Sequence, residues 1–270
     1  MSTSPPAPGT NPWLPFTPPD SAVGSRPRIR LLCFPCAGQG ASVHRPWQRL
    51  LAPDIEAVPV QLPGREGRAT EAAHSDMDGL LAQLLPVLEE QADAAPGGFA
   101  LFGHSLGALI AYEAARRLEA RGRVPLGLTV AAQRPPHLPQ EREPVHDLPR
   151  AAFLTMLGLY GQVPPELFDD PAAVELAAAG LRADFTLVET YASSAAAPRL
   201  RCPVTAWAGL ADITVPPGSM RSWRELTDGP FVFRPVPGDH FFVGPRAEEL
   251  TGVLRSTLTH GTVATSRSTT

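Results

Sequence analysis

Ser105 lies between two glycines at the spacing of a catalytic nucleophile. Residues 103–107 are Gly-His-Ser-Leu-Gly, preceded by an apolar run over 99–102 and followed by a helical pattern over 106–120. A serine on a sharp strand-to-helix turn is open to substrate, and the helix start directs N–H groups at developing negative charge. We therefore predict that Ser105 is a nucleophile. The alternative is a serine that caps the helix beside glycines needed for close packing.

A serine nucleophile needs a general base, and the base needs a carboxylate that orients it. With this type of turn the chain order is serine, acid, histidine. Of the seven histidines, His240 directly follows the last predicted strand, so it can reach the sheet edge that carries Ser105. We predict that His240 is the base. The alternative is a loop histidine that caps the following helix.

Asp212 is the predicted acid, because it is the only carboxylate in the segment that directly follows the preceding strand. Asp239 is the rival. It adjoins His240 in the sequence, and a carboxylate on the neighbouring residue faces the imidazole ring only awkwardly. A solvated loop aspartate is the alternative interpretation of Asp212.

Acyl transfer from such a triad also needs two N–H donors for the oxyanion. Leu106, the residue after the nucleophile, is the first predicted donor. The second should come from the loop at 34–40, Phe-Pro-Cys-Ala-Gly-Gln-Gly, whose glycines let the backbone approach a ligand closely. We predict the N–H group of Ala37, with its neighbour Cys36 as the residue that could replace it.

Short apolar runs alternate with helical patterns along the chain and should position these residues. We predict strands at 29–34, 56–61, 99–102, 127–132, 204–208 and 231–236, and helices at 47–51, 77–91, 106–120, 150–157, 172–190 and 246–258. Nearly continuous apolar strands are typical of a parallel sheet covered on both faces. The sequence therefore predicts an α/β fold with a mostly parallel central sheet flanked by helices.

The domain organisation follows from where this alternation stops. We predict a flexible Pro-rich arm at 1–27, a core formed by 28–134 and 201–260, a helical lid inserted over 135–200, and a flexible tail at 261–270. The alternative for the insertion is an independent helical subdomain of purely structural use.

The composition excludes several functional classes. The chain has 270 residues, a net charge of −4 and 43% hydrophobic residues, enough for a substantial core. Mild acidity disfavours a nucleic-acid partner, and no apolar run approaches the roughly 20 residues that span a bilayer. All 23 basic residues are arginines, which excludes a P-loop lysine and lysine-based catalysis. No signal-peptide pattern is present at the N-terminus, so we expect a cytoplasmic protein without a membrane partner.

The three cysteines are too few for a disulfide framework. Cys33 and Cys36 have the C-x-x-C spacing, but a zinc site would need a second ligand pair. Cys33 also falls inside the first predicted strand. We interpret the pair as one buried strand cysteine and one loop cysteine rather than a redox or metal motif.

Five motifs occur in the order typical of one family. They are Phe-Pro-Cys-Ala-Gly at 34–38, Gln-Leu-Pro-Gly-Arg at 61–65, Phe-Gly-His-Ser-Leu-Gly-Ala at 102–108, Leu-Arg-Ala-Asp-Phe at 181–185 and Gly-Asp-His-Phe-Phe at 238–242. With these motifs the chain resembles type II thioesterases, the free-standing editing enzymes of polyketide and nonribosomal peptide synthesis. The resemblance extends from about Arg28 to Leu258.

This resemblance implies an α/β-hydrolase fold with a helical lid. It implies hydrolysis of acyl thioesters on the phosphopantetheine arm of acyl or peptidyl carrier proteins, typically to remove aberrant short acyl groups. Ser105, Asp212 and His240 match the family's triad by position, and Ala37 and Leu106 match its oxyanion donors. No metal or organic cofactor is needed for this chemistry, and nothing in the sequence demands more than a monomer.

The sequence departs from the family at three positions. Cys36 stands where the family often has histidine, Gln39 where it often has a second glycine, and Ile213 where it tends to have proline. Gln39 could narrow or polarise the oxyanion loop. Elsewhere, Arg65 and Arg68 could meet the phosphate of the pantetheine arm, the alternative being a solvated surface pair.

Three other functions remain open from the sequence. A small-molecule carboxylesterase with the same triad would hydrolyse simple esters and ignore a carrier protein. An acyltransferase would release an ester or amide instead of an acid. A catalytically silent hydrolase-like scaffold would bind a partner, but it has no need for a complete triad.

Overall fold

Six strands and six α-helices alternate along the part of the chain that the computed structural model describes, residues 11–17, 29–139, 142–159, 171–193 and 197–260. The strands are β1 (Ile29–Phe34), β2 (Ile55–Pro59), β3 (Phe99–His104), β4 (Leu128–Ala131), β5 (Val204–Gly209) and β6 (Phe231–Val236). The helices are α1 (Arg45–Leu51), α2 (Met77–Asp93), α3 (Leu106–Ala120), α4 (Arg150–Leu159), α5 (Pro171–Thr190) and α6 (Ala247–His260). Every predicted element is present, with ends displaced by at most two residues.

The strands form one sheet in the order β2-β1-β3-β4-β5-β6, and every neighbouring pair is parallel. Side chains of β1 alternate between the two faces. Leu32 and Phe34 join the apolar cluster that includes α2 and α3, whereas Leu31 and Cys33 join the cluster that includes α1 and α6. The predicted parallel sheet flanked by helices is confirmed.

Helix α2 shows how local sequence sets these elements. Its N-cap, Asp76, accepts a hydrogen bond from the N–H of Gly79, which satisfies one of the free donors at the helix start. Leucines at helical spacing are buried against the sheet and α3: Leu80, Leu81, Leu84, Leu85 and Leu88. One apolar face therefore attaches the helix to the core.

Residues 11–17, which lie within the predicted arm, pack against this core. Trp13 and Leu14 are buried. The backbone oxygen of Trp13 accepts a hydrogen bond from the N–H of Gln61 at 2.8 Å, and the Arg68 guanidinium lies 4.1 Å from the Trp13 ring centre. These contacts bury two apolar side chains of the predicted arm, and the flexibility of the arm stays a prediction. The rest of the predicted arm, and the predicted tail, lie outside the described residues.

The segment between β4 and β5 holds α4 and α5 and no strand within its described residues. Phe153 of α4 and Leu181 and Leu187 of α5 are buried in the apolar cluster that also contains α2 and α3. Its division from the core as a lid stays a prediction. None of the described helices has the length and apolar character needed to cross a bilayer.

Candidate active site

Ser105 occupies a strained turn between β3 and α3. Its backbone angles are φ 53° and ψ −119°, a conformation rare for any residue but glycine. A Cβ atom on Gly103 would lie 2.1 Å from the oxygen of Gly107, and one on Gly107 would lie 2.2 Å from the oxygen of Phe34. Both glycines of the motif are therefore required by backbone contacts. The Ser105 N–H donates to the oxygen of Ala131 at 2.9 Å, which ties the turn to β4.

The structure brings the three predicted triad residues together. His240 Nε2 lies 3.1 Å from Ser105 Oγ, and His240 Nδ1 lies 2.8 Å from Asp212 Oδ2. Ser105 follows β3, Asp212 follows β5 and His240 follows β6. Because the carboxyl ends of parallel strands meet at one edge of the sheet, the three side chains converge there. The rival acid, Asp239, instead accepts a hydrogen bond from the N–H of Phe241.

The Asp212 carboxylate is buried and surrounded by donors. Its Oδ1 accepts from Thr214 Oγ1 at 2.6 Å, from the Thr214 N–H at 2.7 Å and from the Val215 N–H at 2.9 Å. Burial disfavours the charged form, but the hydrogen bonds from His240, Thr214 and Val215 outweigh it and hold the pKa of Asp212 below its usual range. The carboxylate is ionised at neutral pH and can stabilise an imidazolium at His240.

Thr214 is a site residue that the sequence reasoning missed. Its Oγ1 lies 2.7 Å from His240 Nδ1 as well as 2.6 Å from Asp212 Oδ1. The hydroxyl can thus accept from the ring N–H while it donates to the carboxylate. The signal was present as Asp-x-Thr, because an aspartate often accepts hydrogen bonds from the residue two positions later.

His104 contacts the predicted base, His240. Its Nε2 lies 2.8 Å from the backbone oxygen of His240, and the two ring centres are 5.5 Å apart. Burial and the nearby His240 lower the pKa of His104 to about 3, so this imidazole is neutral at physiological pH. A neutral ring with a proton on Nε2 donates to the His240 carbonyl and so holds the backbone of the predicted base in place.

The predicted oxyanion donors come from two different elements. Leu106 is the first residue of α3, and Ala37 lines the same cavity as Ser105. Within the described residues, neither backbone N–H has a hydrogen-bond acceptor in the protein. Cys36, next to Ala37, is buried in the loop after β1, and Cys33 is buried in β1 itself, so the predicted positions of the two cysteines, one in a strand and one in a loop, are confirmed.

A family model for thioesterase domains matches residues 29–258. The chain belongs to the thioesterase family. The thioesterase PikA5 of Streptomyces venezuelae is 36% identical over 223 residues, which cover 82% of this chain and 78% of that protein. The gramicidin S biosynthesis protein GrsT of Aneurinibacillus migulanus is 34% identical over 223 residues, which cover 82% of this chain and 85% of that protein.

A solved structure supports the same family assignment. The type II thioesterase BorB from the borrelidin biosynthetic cluster superposes with a TM-score of 0.76 and 32% identity, over 94% of this chain and 95% of that chain. The resemblance to type II thioesterases and the α/β-hydrolase fold are therefore confirmed. The chain is an enzyme of the thioester-hydrolysing class.

A cavity of about 150 Å³ opens beside Ser105 in the thioesterase. Part of its wall is apolar and comes from the insertion and from the loop after β6: Met156, Phe185, Val188 and Phe241. Arg134, Arg142 and Glu189 add charged groups to the wall. The cavity thus places both apolar and charged side chains next to Ser105.

Arg65 and Arg68 do not form the site predicted for them. Arg65 donates two hydrogen bonds of 2.7 Å to Asp184, and Arg68 donates to Glu71 at 2.6 and 2.9 Å while it covers Trp13. The two arginine side chains are each only 8% exposed. Both the phosphate-binding interpretation and the solvated-pair interpretation are therefore wrong.

Proposed function

We propose that this thioesterase cleaves acyl thioesters with Ser105 as the nucleophile, His240 as the general base and Asp212 as the group that orients the base. The observation that carries the proposal is the continuous hydrogen-bonded line from Ser105 Oγ through the imidazole to the buried carboxylate. The strained backbone at Ser105 supports it, since such strain is typical of a nucleophile on this turn.

The reaction follows from this geometry in two halves. His240 Nε2 takes the proton of Ser105 Oγ as the oxygen attacks the thioester carbonyl, and the N–H groups of Ala37 and Leu106 hold the oxyanion. The tetrahedral intermediate breaks the C–S bond, and His240 returns the proton to the departing thiolate. Water then gives a proton to His240, attacks the acyl-enzyme and releases the carboxylic acid and the serine hydroxyl.

We propose that the thiol which leaves is the phosphopantetheine arm of an acyl or peptidyl carrier protein. The names of BorB and GrsT connect those relatives with the biosynthesis of borrelidin and gramicidin S. A cavity of about 150 Å³ is smaller than the 300–1,000 Å³ typical of ligand pockets, which favours short acyl groups. The proposed role is therefore the removal of short aberrant acyl groups that stall a synthase. One chain carries every residue of the site, so we propose the monomer as the catalytic unit.

The test compares three substrates that share one short acyl group: the acyl group on an intact carrier protein, on free pantetheine and on a simple alcohol. We expect the highest kcat/KM on the carrier, an intermediate value on pantetheine and the lowest on the ester. Ser105→Ala should abolish all three activities.

Other outcomes identify the rival functions. Equal or faster turnover of the simple ester would support a carboxylesterase. A new ester or amide product in the presence of an alcohol or amine would indicate an acyltransferase. Thioester turnover that Ser105→Ala leaves unchanged would contradict the assignment of the nucleophile.

A further inference from the structure

Two of the five family motifs hold neither a triad residue nor a proposed oxyanion donor, yet they meet in one buried ion pair. Arg65, from the motif at 61–65, donates to both carboxylate oxygens of Asp184, from the motif at 181–185. Each N···O distance is 2.7 Å, and the side chains are 8% and 3% exposed. A bidentate pair of this kind is strong and geometrically specific.

The same carboxylate also holds the oxyanion loop. Asp184 Oδ2 accepts a hydrogen bond of 2.8 Å from the N–H of Gly38, the residue after the proposed oxyanion donor Ala37. Gly38 has a φ of +73°, a left-handed conformation that other residues adopt only with strain. Asp184 thus fixes the peptide unit that joins Ala37 to Gly38.

The motif at 61–65 also binds this loop, at its Ala41 end. Gln61 Oε1 accepts from the N–H of Ala41 at 2.9 Å, and Gln61 Nε2 donates to the backbone oxygen of Arg65 at 3.1 Å. The loop is therefore held near Gly38 by Asp184 and at Ala41 by Gln61, and Arg65 connects the two contacts by pairing with Asp184.

Helix α5 is seated closely on this segment. A Cβ atom on Gly180 would lie 3.0 Å from the backbone oxygen of Gly64. Gly180 and Asp184 are four residues apart, so they lie on one face of α5. The close approach at Gly180 and the ion pair at Asp184 attach the same face of the helix to the same loop.

We propose that Asp184, aligned by Arg65, is a positioning residue for the oxyanion donor Ala37. This inference rests on the proposed function of Ser105 and Ala37. It makes α5 a fixed support of the catalytic loop, although the helix belongs to the segment predicted as a lid.

The physical consequence is selective for the transition state. An oxyanion donor acts on the charge that develops at the carbonyl oxygen and contributes little to binding of the uncharged thioester. Misplacing the Ala37 N–H should therefore lower kcat and leave KM nearly unchanged. It should also weaken binding of an inhibitor that forms a tetrahedral oxyanion on Ser105.

The test uses Asp184→Asn in the full chain, with an acyl-pantetheine thioester as substrate and an acyl trifluoromethyl ketone as the oxyanion-forming inhibitor. We expect kcat to fall about 10- to 100-fold and KM to stay within about twofold. The inhibition constant should rise by the same factor as kcat falls.

Glu119→Gln is the matched control. Glu119 is also a buried carboxylate that accepts from an arginine and from backbone N–H groups, here those of Arg201 and Cys202, but it lies at the end of α3 remote from Ser105. This variant should lose thermal stability and keep kcat and the inhibition constant. If Asp184→Asn does not fold, Arg65→Lys keeps the charge and loses the bidentate geometry, and it should show a smaller fall of the same kind.

Two results would overturn the inference, and they differ from each other. If Asp184→Asn and Glu119→Gln lose stability alike and both keep kcat and inhibitor affinity, Asp184 is only structural, and the proposed function stands. If the trifluoromethyl ketone fails to inhibit the wild-type enzyme, or Ser105→Ala retains activity, the proposed function fails and this inference fails with it.

Discussion

The two sides of Ser105 are built in different ways. On the base side, Asp212 and His240 are 28 positions apart, and the carboxylate is held by residues two and three positions further along the chain. On the oxyanion side, Gly38 is held by Asp184, which is 146 positions away and lies on a helix of the insertion.

In the proposed mechanism, this difference separates the residues that transfer the proton from those that position the oxyanion donors. The base side depends on short loops at the ends of β5 and β6, so a substitution there changes the proton acceptor directly. The oxyanion side depends on distant elements that must all be packed, so a substitution there should have graded effects. The predictions that follow are ordered from the largest expected effect to the smallest.

Asp212→Asn should break the base side. An amide in place of the carboxylate favours the wrong tautomer of His240 and cannot stabilise the imidazolium, so kcat should fall about 10⁴-fold, or about 5.5 kcal/mol of barrier. Steady-state kinetics with an acyl-pantetheine thioester measure this loss. The control is Asp239→Asn, the rival acid, which should keep kcat within about threefold because its carboxylate faces the Phe241 N–H. A larger fall in kcat for Asp239→Asn than for Asp212→Asn would show that Asp239, not Asp212, is the acid of the triad.

Trp13→Ala should destabilise the fold next to Gln61, whose side chain holds the oxyanion loop. The indole is 7% exposed and lies under the Arg68 guanidinium, so its removal should lower the free energy of unfolding by about 3 kcal/mol. Urea denaturation measures this change. Phe16→Ala, in the same segment but at a half-buried position, should cost about 1 kcal/mol. Equal costs for the two variants would show that the segment is not anchored by Trp13.

His44 should make the oxyanion side sensitive to acid. It follows the oxyanion loop, packs against Trp47 and Phe102, and has a pKa lowered to about 3 by burial. Between pH 6.5 and 3 the unfolded chain binds a proton that the folded chain excludes, so stability falls as pH falls. At pH 5 the loss from this residue is about 2 kcal/mol.

His44→Phe should remove this loss. Urea denaturation should show a smaller loss of the free energy of unfolding from pH 7 to pH 5 in the variant than in the wild type. Between pH 7 and pH 8 the free energy of unfolding should change with pH to the same extent in both proteins. Asp212 behaves differently from His44: its lowered pKa stabilises the fold above about pH 4, and this contribution is lost only in stronger acid. His104, next to His240, has a similarly lowered pKa, so its own acid sensitivity should remain in the variant. An unchanged pH effect in His44→Phe would place the acid sensitivity elsewhere.

Thr214→Val tests whether the Thr214 hydroxyl positions Asp212 and His240. Loss of the hydroxyl removes one hydrogen bond to Asp212 and one to His240, which should lower kcat about 10-fold. Thr214→Ser keeps the hydroxyl and should recover most of the activity, which distinguishes positioning from simple packing. A serine variant as slow as the valine variant would show that the methyl group, not the hydroxyl, matters.

The fold was predictable because its signals are local. Apolar runs defined all six strands of the sheet, and helical spacing of apolar residues defined the helices. The turn at Ser105 was predictable because two glycines are needed to let the backbone approach at Gly107 and Phe34.

The support of the site was not predictable in this way. Arg65 and Asp184 are 119 positions apart, and each alone resembles a solvated charge. Only the folded chain shows that they pair and exclude water. Trp13 and Leu14 stand in a Pro-rich segment with no periodic pattern, so nothing in the local sequence indicated that they join the core.

The central claim is that Ser105 carries the acyl group during turnover. Rapid-quench mass spectrometry of the enzyme mixed with a short-chain acyl carrier protein tests it directly. We predict a transient mass increase of one acyl group, mapped to the peptide that contains Ser105 and absent in Ser105→Ala. An acyl group on another residue, or full turnover by Ser105→Ala, would contradict the claim.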